Sequence, residues 1–233
     1  MRNRLYYLIL IIFGIVSLKI LNSTYKEEPN VYNVFTSNEV TISESKLGYL
    51  FDGKGINDLI IFYPGAKVEE IAYAPLMLNL AENGIDTYIV KMPFNLALFG
   101  KKKADKVIKE YSYKSYYMAG HSLGGAMASS YTATTNNDIK ALILLASYST
   151  KKIPDGVKVL SIYGSNDGVL NIKKYNKYKK NIESNLEEHI IQGANHANFG
   201  NYGNQKKDKN ADISKEQQQE ITSHYITEFI NNL

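Results

Sequence analysis

The sequence predicts one α/β domain: a mostly parallel, twisted sheet with helices on both faces and two antiparallel strands leading in. Two observations carry this. Short apolar runs of strand length alternate with segments of helical spacing, the pattern of βαβ units. Several runs, such as Asp58–Tyr63 (DLIIFY) and Lys140–Ala146 (KALILLA), are continuously apolar, as strands buried on both faces of a parallel sheet must be. A chain of 233 residues holds one such domain with a sizeable core and is short for two.

The first 21 residues stand apart. Arg2 and Arg4 precede an apolar run from Leu5 to Ile15 that continues with interruptions, Lys19 among them, to Leu21. A spanning helix needs about 20 apolar residues, and a lysine near the end can snorkel to the interface. No small-x-small cleavage site follows closely. Residues 1–21 are therefore read as a hydrophobic anchor in preference to a cleaved signal segment. The arginines would keep the N-terminus cytoplasmic and place the domain outside, with secretion the outcome if the segment is removed. Residues 22–30, polar and containing Pro29, read as a linker, and 31–233 as the domain.

Within the domain, Val31–Val40 and Leu47–Phe51 read as strands, with no helix between them. Asp58–Tyr63 follows and stops at Pro64-Gly65. Glu69–Asn83 has apolar residues at helical spacing and ends at Gly84, a C-terminal cap. Asp86–Lys91 is a strand, Lys102–Tyr111 a helix, Ser115–Ala119 a strand and Gly124–Thr134 a helix of small residues. Lys140–Ala146 and Val157–Tyr163 are strands, Ile172–Ile182 a helix, and Glu187–Ile191 the last strand. Ser214 caps a terminal helix to Ile230, helped by Glu216 or Gln217. The polar stretch Asn201–Asp212 reads as an exposed loop.

Composition excludes several classes. The net charge of +4 comes from dispersed lysines, and no nucleic-acid-binding motif accompanies them. Cysteine is absent, which rules out disulfides, thiol nucleophiles, Cys-ligated zinc and lipidation at an N-terminal Cys. There is no HExxH, Walker motif or GxGxxG. Neither metal nor organic cofactor is expected.

The chemistry concentrates at Gly120-His121-Ser122-Leu123-Gly124, a G-x-S-x-G between an apolar strand and a small-residue helix. A nucleophilic serine needs a sharp strand-to-helix turn that lifts its hydroxyl clear of the sheet. Gly120 and Gly124 supply the small neighbours where strand and helix pass closely. The helix start aims the Leu123 N–H at developing negative charge.

With its preceding strand, GHSLGG resembles the nucleophile elbow of the α/β-hydrolase superfamily. The resemblance covers nearly all of 31–233 and is closest to small single-domain esterases related to dienelactone hydrolases. It implies the α/β-hydrolase fold and a serine hydrolase with triad order Ser, acid, His. His189 lies inside a strand and His224 on the terminal helix, whereas His196 lies in a Gly- and Asn-rich loop after the last strand, where the superfamily keeps its base. Asp167, just beyond strand 157–163, occupies the acid position; Asp155 precedes that strand, at the wrong end. The resemblance sets Pro64-Gly65 where many relatives carry His-Gly, making the Ala66 N–H the second oxyanion donor beside Leu123. Lys67 could add positive charge there or be solvated.

Tyr63, Met92, Phe94, Asn95, Leu96 and Phe99 are candidate pocket residues; the loop 92–99 could equally be packed against the domain. The short connection between Ala146 and Val157 leaves no room for a helical cap, so the site should be open. The expected reaction is hydrolysis of a small carboxylic ester through an acyl-enzyme. A thioesterase, peptidase, dienelactone-type hydrolase or acyltransferase would use the same residues. An inactive, membrane-tethered binding protein is the rival from another class.

Overall fold

The computed structural model describes residues 2–21, 24–182 and 186–233. Among these, the strands are β1 (Thr41–Ser45), β2 (Gly48–Asp52), β3 (Asp58–Tyr63), β4 (Asp86–Val90), β5 (Ser115–His121), β6 (Ile139–Leu145), β7 (Lys158–Gly164) and β8 (Leu186–Ile191). They form one sheet in the order β1-β2-β4-β3-β5-β6-β7-β8. The pairs β1–β2 and β2–β4 are antiparallel, and every later pair is parallel. The leading strands thus form the antiparallel edge expected from their lack of a crossover helix.

The helices are α1 (Arg2–Leu21), α2 (Ala74–Glu82), α3 (Ala104–Glu110), α4 (Leu123–Thr132), α5 (Ile172–Tyr178) and α6 (Lys215–Asn231). Strand side chains alternate between two cores. Ile60 and Phe62 of β3 join α2 and α6 on one face, while Leu59, Ile61 and Tyr63 join α3 and α4 on the other. Burial of both faces explains why β3 and β6 read as unbroken apolar runs. Gly84 caps α2 in a left-handed conformation (φ 87°), as its sequence position requires.

Three expectations are corrected. Residues 31–40 are not a strand: Pro29–Thr36 is a 3-10 helix, and β1 begins only at Thr41. Pro29 presets the first turn, and Val31 and Val34, both buried, share a face in a helix of three residues per turn. Residues 24–30 do not behave as a free linker: Tyr25 forms a bridge with Val68, and Glu28 accepts from Lys215 and donates its N–H to Asn201. Asn22 and Ser23 lie outside the described residues. The stretch 201–212 is not simply exposed, since Asn201 and Tyr202 are buried.

The hydrophobic segment 1–21 coincides with α1, of which Met1 and the side chains at 2, 3, 13 and 15–21 lie outside the described residues. Leu5 to Ile12 expose their apolar side chains. Among the described residues no helix is long and apolar enough to cross a membrane.

The start of α6 carries a reciprocal cap. Ser214 Oγ accepts the Gln217 N–H at 3.1 Å and Gln217 Oε1 accepts the Ser214 N–H at 2.9 Å. Ser214→Ala removes one half, and is expected to lower unfolding free energy by about 1 kcal/mol in urea titrations.

Candidate active site

Parallel strands share a direction, so the C-terminal ends of β3, β5, β6, β7 and β8 fall on one rim, where open α/β sheets bind ligands. The predicted residues Ala66, Ser122, Asp167 and His196 all follow these ends.

Ser122 sits between β5 and α4 with φ 54° and ψ −122°. For a residue with a Cβ this conformation costs on the order of 1–3 kcal/mol. Hydrogen bonds hold it there: the Ser122 N–H donates to Leu145 (2.9 Å), and its carbonyl accepts from Ser147 Oγ (2.7 Å) and the Ala126 N–H (3.1 Å). The flanking glycines are dictated by contact. A Cβ at Gly120 would lie 2.6 Å from the Gly124 carbonyl carbon; one at Gly124 would lie 2.1 Å from the Tyr63 carbonyl oxygen and 2.3 Å from that of Pro64.

Asp167 and His196 meet across the rim. His196 Nδ1 lies 2.8 Å from Asp167 Oδ2, and their side chains are 1% and 2% exposed. The other carboxylate oxygen accepts the N–H groups of Val169 (2.8 Å) and Leu170 (2.7 Å), so the carboxylate is oriented at both ends. His196 Nε2 is buried and has no hydrogen-bond partner among the described groups; it is therefore not bonded to the Ser122 hydroxyl here. Both residues line one cavity of about 230 Å³, with Leu123, Ala126, Ala146, Ser147, Tyr148, Val169, Leu170 and Asn171. Catalytic hydrogen bonds are often long before substrate arrives, and a shared cavity is the geometry a small loop adjustment would use.

Two amides are the oxyanion candidates. The N–H of Leu123, first in α4, has no helical carbonyl to reach. Around Ala66 the neighbouring amides are engaged: Gly65 donates to Tyr73 Oη (3.1 Å) and Lys67 to the Asn95 carbonyl (2.7 Å). Tyr73 Oη also lies 2.8 Å from Nδ1 of His121, which is fully buried. Burial, and secondarily the nearby His196, hold the His121 imidazole well below its usual pKa and therefore neutral. Since Tyr73 already accepts from Gly65, its O–H can donate to Nδ1, leaving the imidazole proton on Nε2.

The pocket expectation is corrected. None of Tyr63, Met92, Phe94, Asn95, Leu96 or Phe99 lines the Ser122 cavity. Tyr63 and Met92 are core residues, and the Tyr63 hydroxyl is spent on the backbone of Lys101 (2.6 Å) and Ala104 (3.0 Å). Phe94 and Phe99 point to solvent. The walls come instead from the loops after β6 and β7, whose residues carry no distinctive pattern.

The competing groups are elsewhere: His189 stacks on Tyr225, His224 is exposed beside Glu228, and Asp155 pairs with Lys152 ahead of β7. Among the described residues no cluster of three or more His, Asp or Glu could hold a metal ion. A larger groove of about 570 Å³ lies between α2 and α6, away from this rim.

Sequence reasoning missed two scaffold residues. Asp208 accepts the Gly168 N–H (3.0 Å) with one oxygen and the Ala197 N–H (2.8 Å) with the other, tying the acid loop to the histidine loop. Gln218 of α6 bonds the Asn195 backbone at both N–H (3.1 Å) and carbonyl (2.9 Å). A buried glutamine on an otherwise amphipathic helix was the only available signal for the second.

A family model described as "Alpha/beta hydrolase family" matches residues 59–220. Among solved structures, the chain is similar to a predicted CIB-like hydrolase from Thermoplasma acidophilum (TM-score 0.60, 17% identity, 81% of this chain and 99% of that one). It is also similar to Est1E from Butyrivibrio proteoclasticus (TM-score 0.56, 17% identity, 83% and 100%). A laboratory-evolved variant of potato epoxide hydrolase gives TM-score 0.62 at 14% identity, over 84% and 100%. At these identities the likeness is one of fold. No curated protein matches the chain.

Two outcomes follow from the packing. Gly124→Ala forces a methyl against the β3 carbonyls, and should cost about 1–3 kcal/mol as overpacking does, seen as a lower urea midpoint. His121 is neutral when folded and titrates near 6.5 when unfolded. Below that pH the unfolded chain binds the extra proton, so stability falls as pH drops, by up to about 1.4 kcal/mol per unit from this group. Urea midpoints at pH 7.5 and 5.5 should differ less in His121→Gln than in wild type.

Proposed function

Because the chain belongs to the alpha/beta hydrolase family, whose model matches residues 59–220, we propose that it is a serine hydrolase cleaving carboxylic esters, with Ser122 as nucleophile, His196 as base and Asp167 as orienting acid. One observation carries the reading. His196, whose buried Nε2 has no hydrogen-bond partner among the described groups, lines the same cavity as Ser122, while its Nδ1 is fixed 2.8 Å from Asp167.

In this mechanism His196 accepts the Ser122 proton as Oγ attacks the ester carbonyl. The N–H groups of Leu123 and Ala66 bind the oxyanion, and their fixed orientation costs no reorganisation in the transition state. His196 protonates the departing alkoxide, then activates water to release the acid from the acyl-enzyme. Asp167 holds the imidazole tautomer and stabilises the imidazolium. The apolar wall of Leu123, Ala126, Ala146, Val169 and Leu170 favours a short acyl group over a charged one. A small, uncapped cavity supports a small-molecule ester over a folded polypeptide.

We further read α1 as the element that holds the domain at a bilayer, outside the cytoplasm. The exposed apolar side chains from Leu5 to Ile12 support this, since an unburied stripe of that kind marks an interaction surface.

A fluorophosphonate probe should label wild type and not Ser122→Ala; labelling of neither would favour a binding role on the same fold. Asp167→Asn should keep the fold yet lower kcat for a short acyl ester on the order of 10⁴-fold. Relative rates across esters, thioesters and peptides decide the bond class.

A further inference from the structure

We propose that the active-site rim docks on an anionic bilayer through the loop Pro93–Lys103, so that the protein takes acyl esters presented at the lipid surface. This rests on the reading of α1 as a bilayer anchor and of Ser122 as nucleophile.

The constraint is the length of the tether and where it lands. α1 ends at Leu21, and four residues later Tyr25 is fixed to the loop that carries Ala66. The Tyr25 N–H donates to the Lys67 carbonyl (2.6 Å), and the Tyr25 carbonyl accepts the Glu69 N–H (3.0 Å). Four residue steps reach at most about 14 Å even when fully extended. A bilayer holding the end of α1 must therefore lie close to the β3 loop, on the Ser122 rim. The opposite edge of the sheet cannot face it.

Lys67 continues the connection on its other side. Its N–H donates to the Asn95 carbonyl at 2.7 Å, joining the β3 loop to the loop after β4. That loop presents Phe94, Leu98 and Phe99, which are 65%, 60% and 60% exposed. Phe94 and Phe99 pack edge to face with centroids 5.9 Å apart. Phe94 and Asn95 both adopt left-handed backbone, φ 54° and 52°, a strained conformation for residues with side chains. Ala97, between Phe94 and Phe99, is buried, and its turn packs on α4. The exposed ring pair is thus held on a supported turn that is bonded, through Asn95, to the loop carrying the candidate Ala66 amide.

Charge selects the partner. From Thr87 to Ala104 the sequence holds four lysines and no carboxylate. Lys91 pairs with Glu70 and Lys103 Nζ bonds the Lys91 carbonyl. Lys101 and Lys102 directly follow the aromatic turn. Aromatic side chains at headgroup depth flanked by lysines match the chemistry of an anionic lipid interface.

The chain contains no tryptophan, so Phe99→Trp gives a single reporter in the full-length protein. Ile56→Trp is the control, because Ile56 is 83% exposed in the turn leading into β3, at the opposite edge. In phosphatidylcholine–phosphatidylglycerol vesicles, emission from Phe99→Trp should shift to the blue and be quenched by brominated acyl chains. Ile56→Trp should stay at the water-exposed wavelength and remain open to acrylamide.

In the Phe94→Ser/Phe99→Ser double variant, turnover of a vesicle-borne ester should fall about tenfold relative to a short soluble ester, reflecting two lost interfacial anchors. Failure of the protein to float with vesicles overturns the anchor and the docking together. Flotation with equal quenching of both reporters overturns the docking alone, as it would if a protein partner covered the loop. Absence of fluorophosphonate labelling overturns the serine reading and leaves the fluorescence result standing on its own.

Discussion

The close passage of α4 over the end of β3 is the constraint on which the rim is built. Gly124 leaves no space for a Cβ against the Tyr63 and Pro64 carbonyls, so helix and strand lie in direct backbone contact. That contact brings the first amide of α4 beside the loop leaving β3. It also forces the chain to reverse within one residue, and Ser122 takes the left-handed conformation that results. A hydrogen bond from the Ser122 N–H to the Leu145 carbonyl, and bonds from Ser147 and Ala126 to the Ser122 carbonyl, offset the strain. The lifted hydroxyl is a consequence of packing.

Around that turn, buried polar groups set positions that packing alone leaves free. Asp208 spans two loops, Gln218 clamps Asn195, and Tyr73 joins Gly65 to His121. Each buried donor or acceptor left unpaired would cost about 1–3 kcal/mol, so alternative loop conformations are penalised. His196 is thereby presented on a loop fixed at Asn195 and Ala197, while its Nε2 stays uncommitted. Local rigidity with one open valence is what a proton-transfer group requires.

The short chain from α1 to Tyr25 adds a constraint of another kind. It is four residue steps long, and Tyr25 at its end is bonded into the β3 loop. Segment and rim are far apart in sequence reading, and the polar stretch between them looks like an ordinary linker. Only the bridge to Val68 shows that Tyr25 belongs to the surface of the β3 loop.

The order of strands and helices was legible because both-face burial leaves continuous apolar runs and helices leave a 3.6-residue period. The elbow was legible because glycine is the only residue that fits its close approaches. His196 and Asp167 were found through their places after β8 and β7, which chain order alone supplies. The 3-10 helix at Pro29–Thr36 was misread, since a short run rich in Val, Tyr, Phe and Thr has the composition of a strand. The pocket was misread because Phe94 and Phe99 are as apolar as any wall, and composition does not say which way a side chain points. Asp208, Gln218 and Tyr73 act through contacts distant in sequence. Local pattern therefore determined the elements and the candidate residues; tertiary structure alone decided which loops meet, since that depends on hydrogen bonds between segments that carry no periodicity.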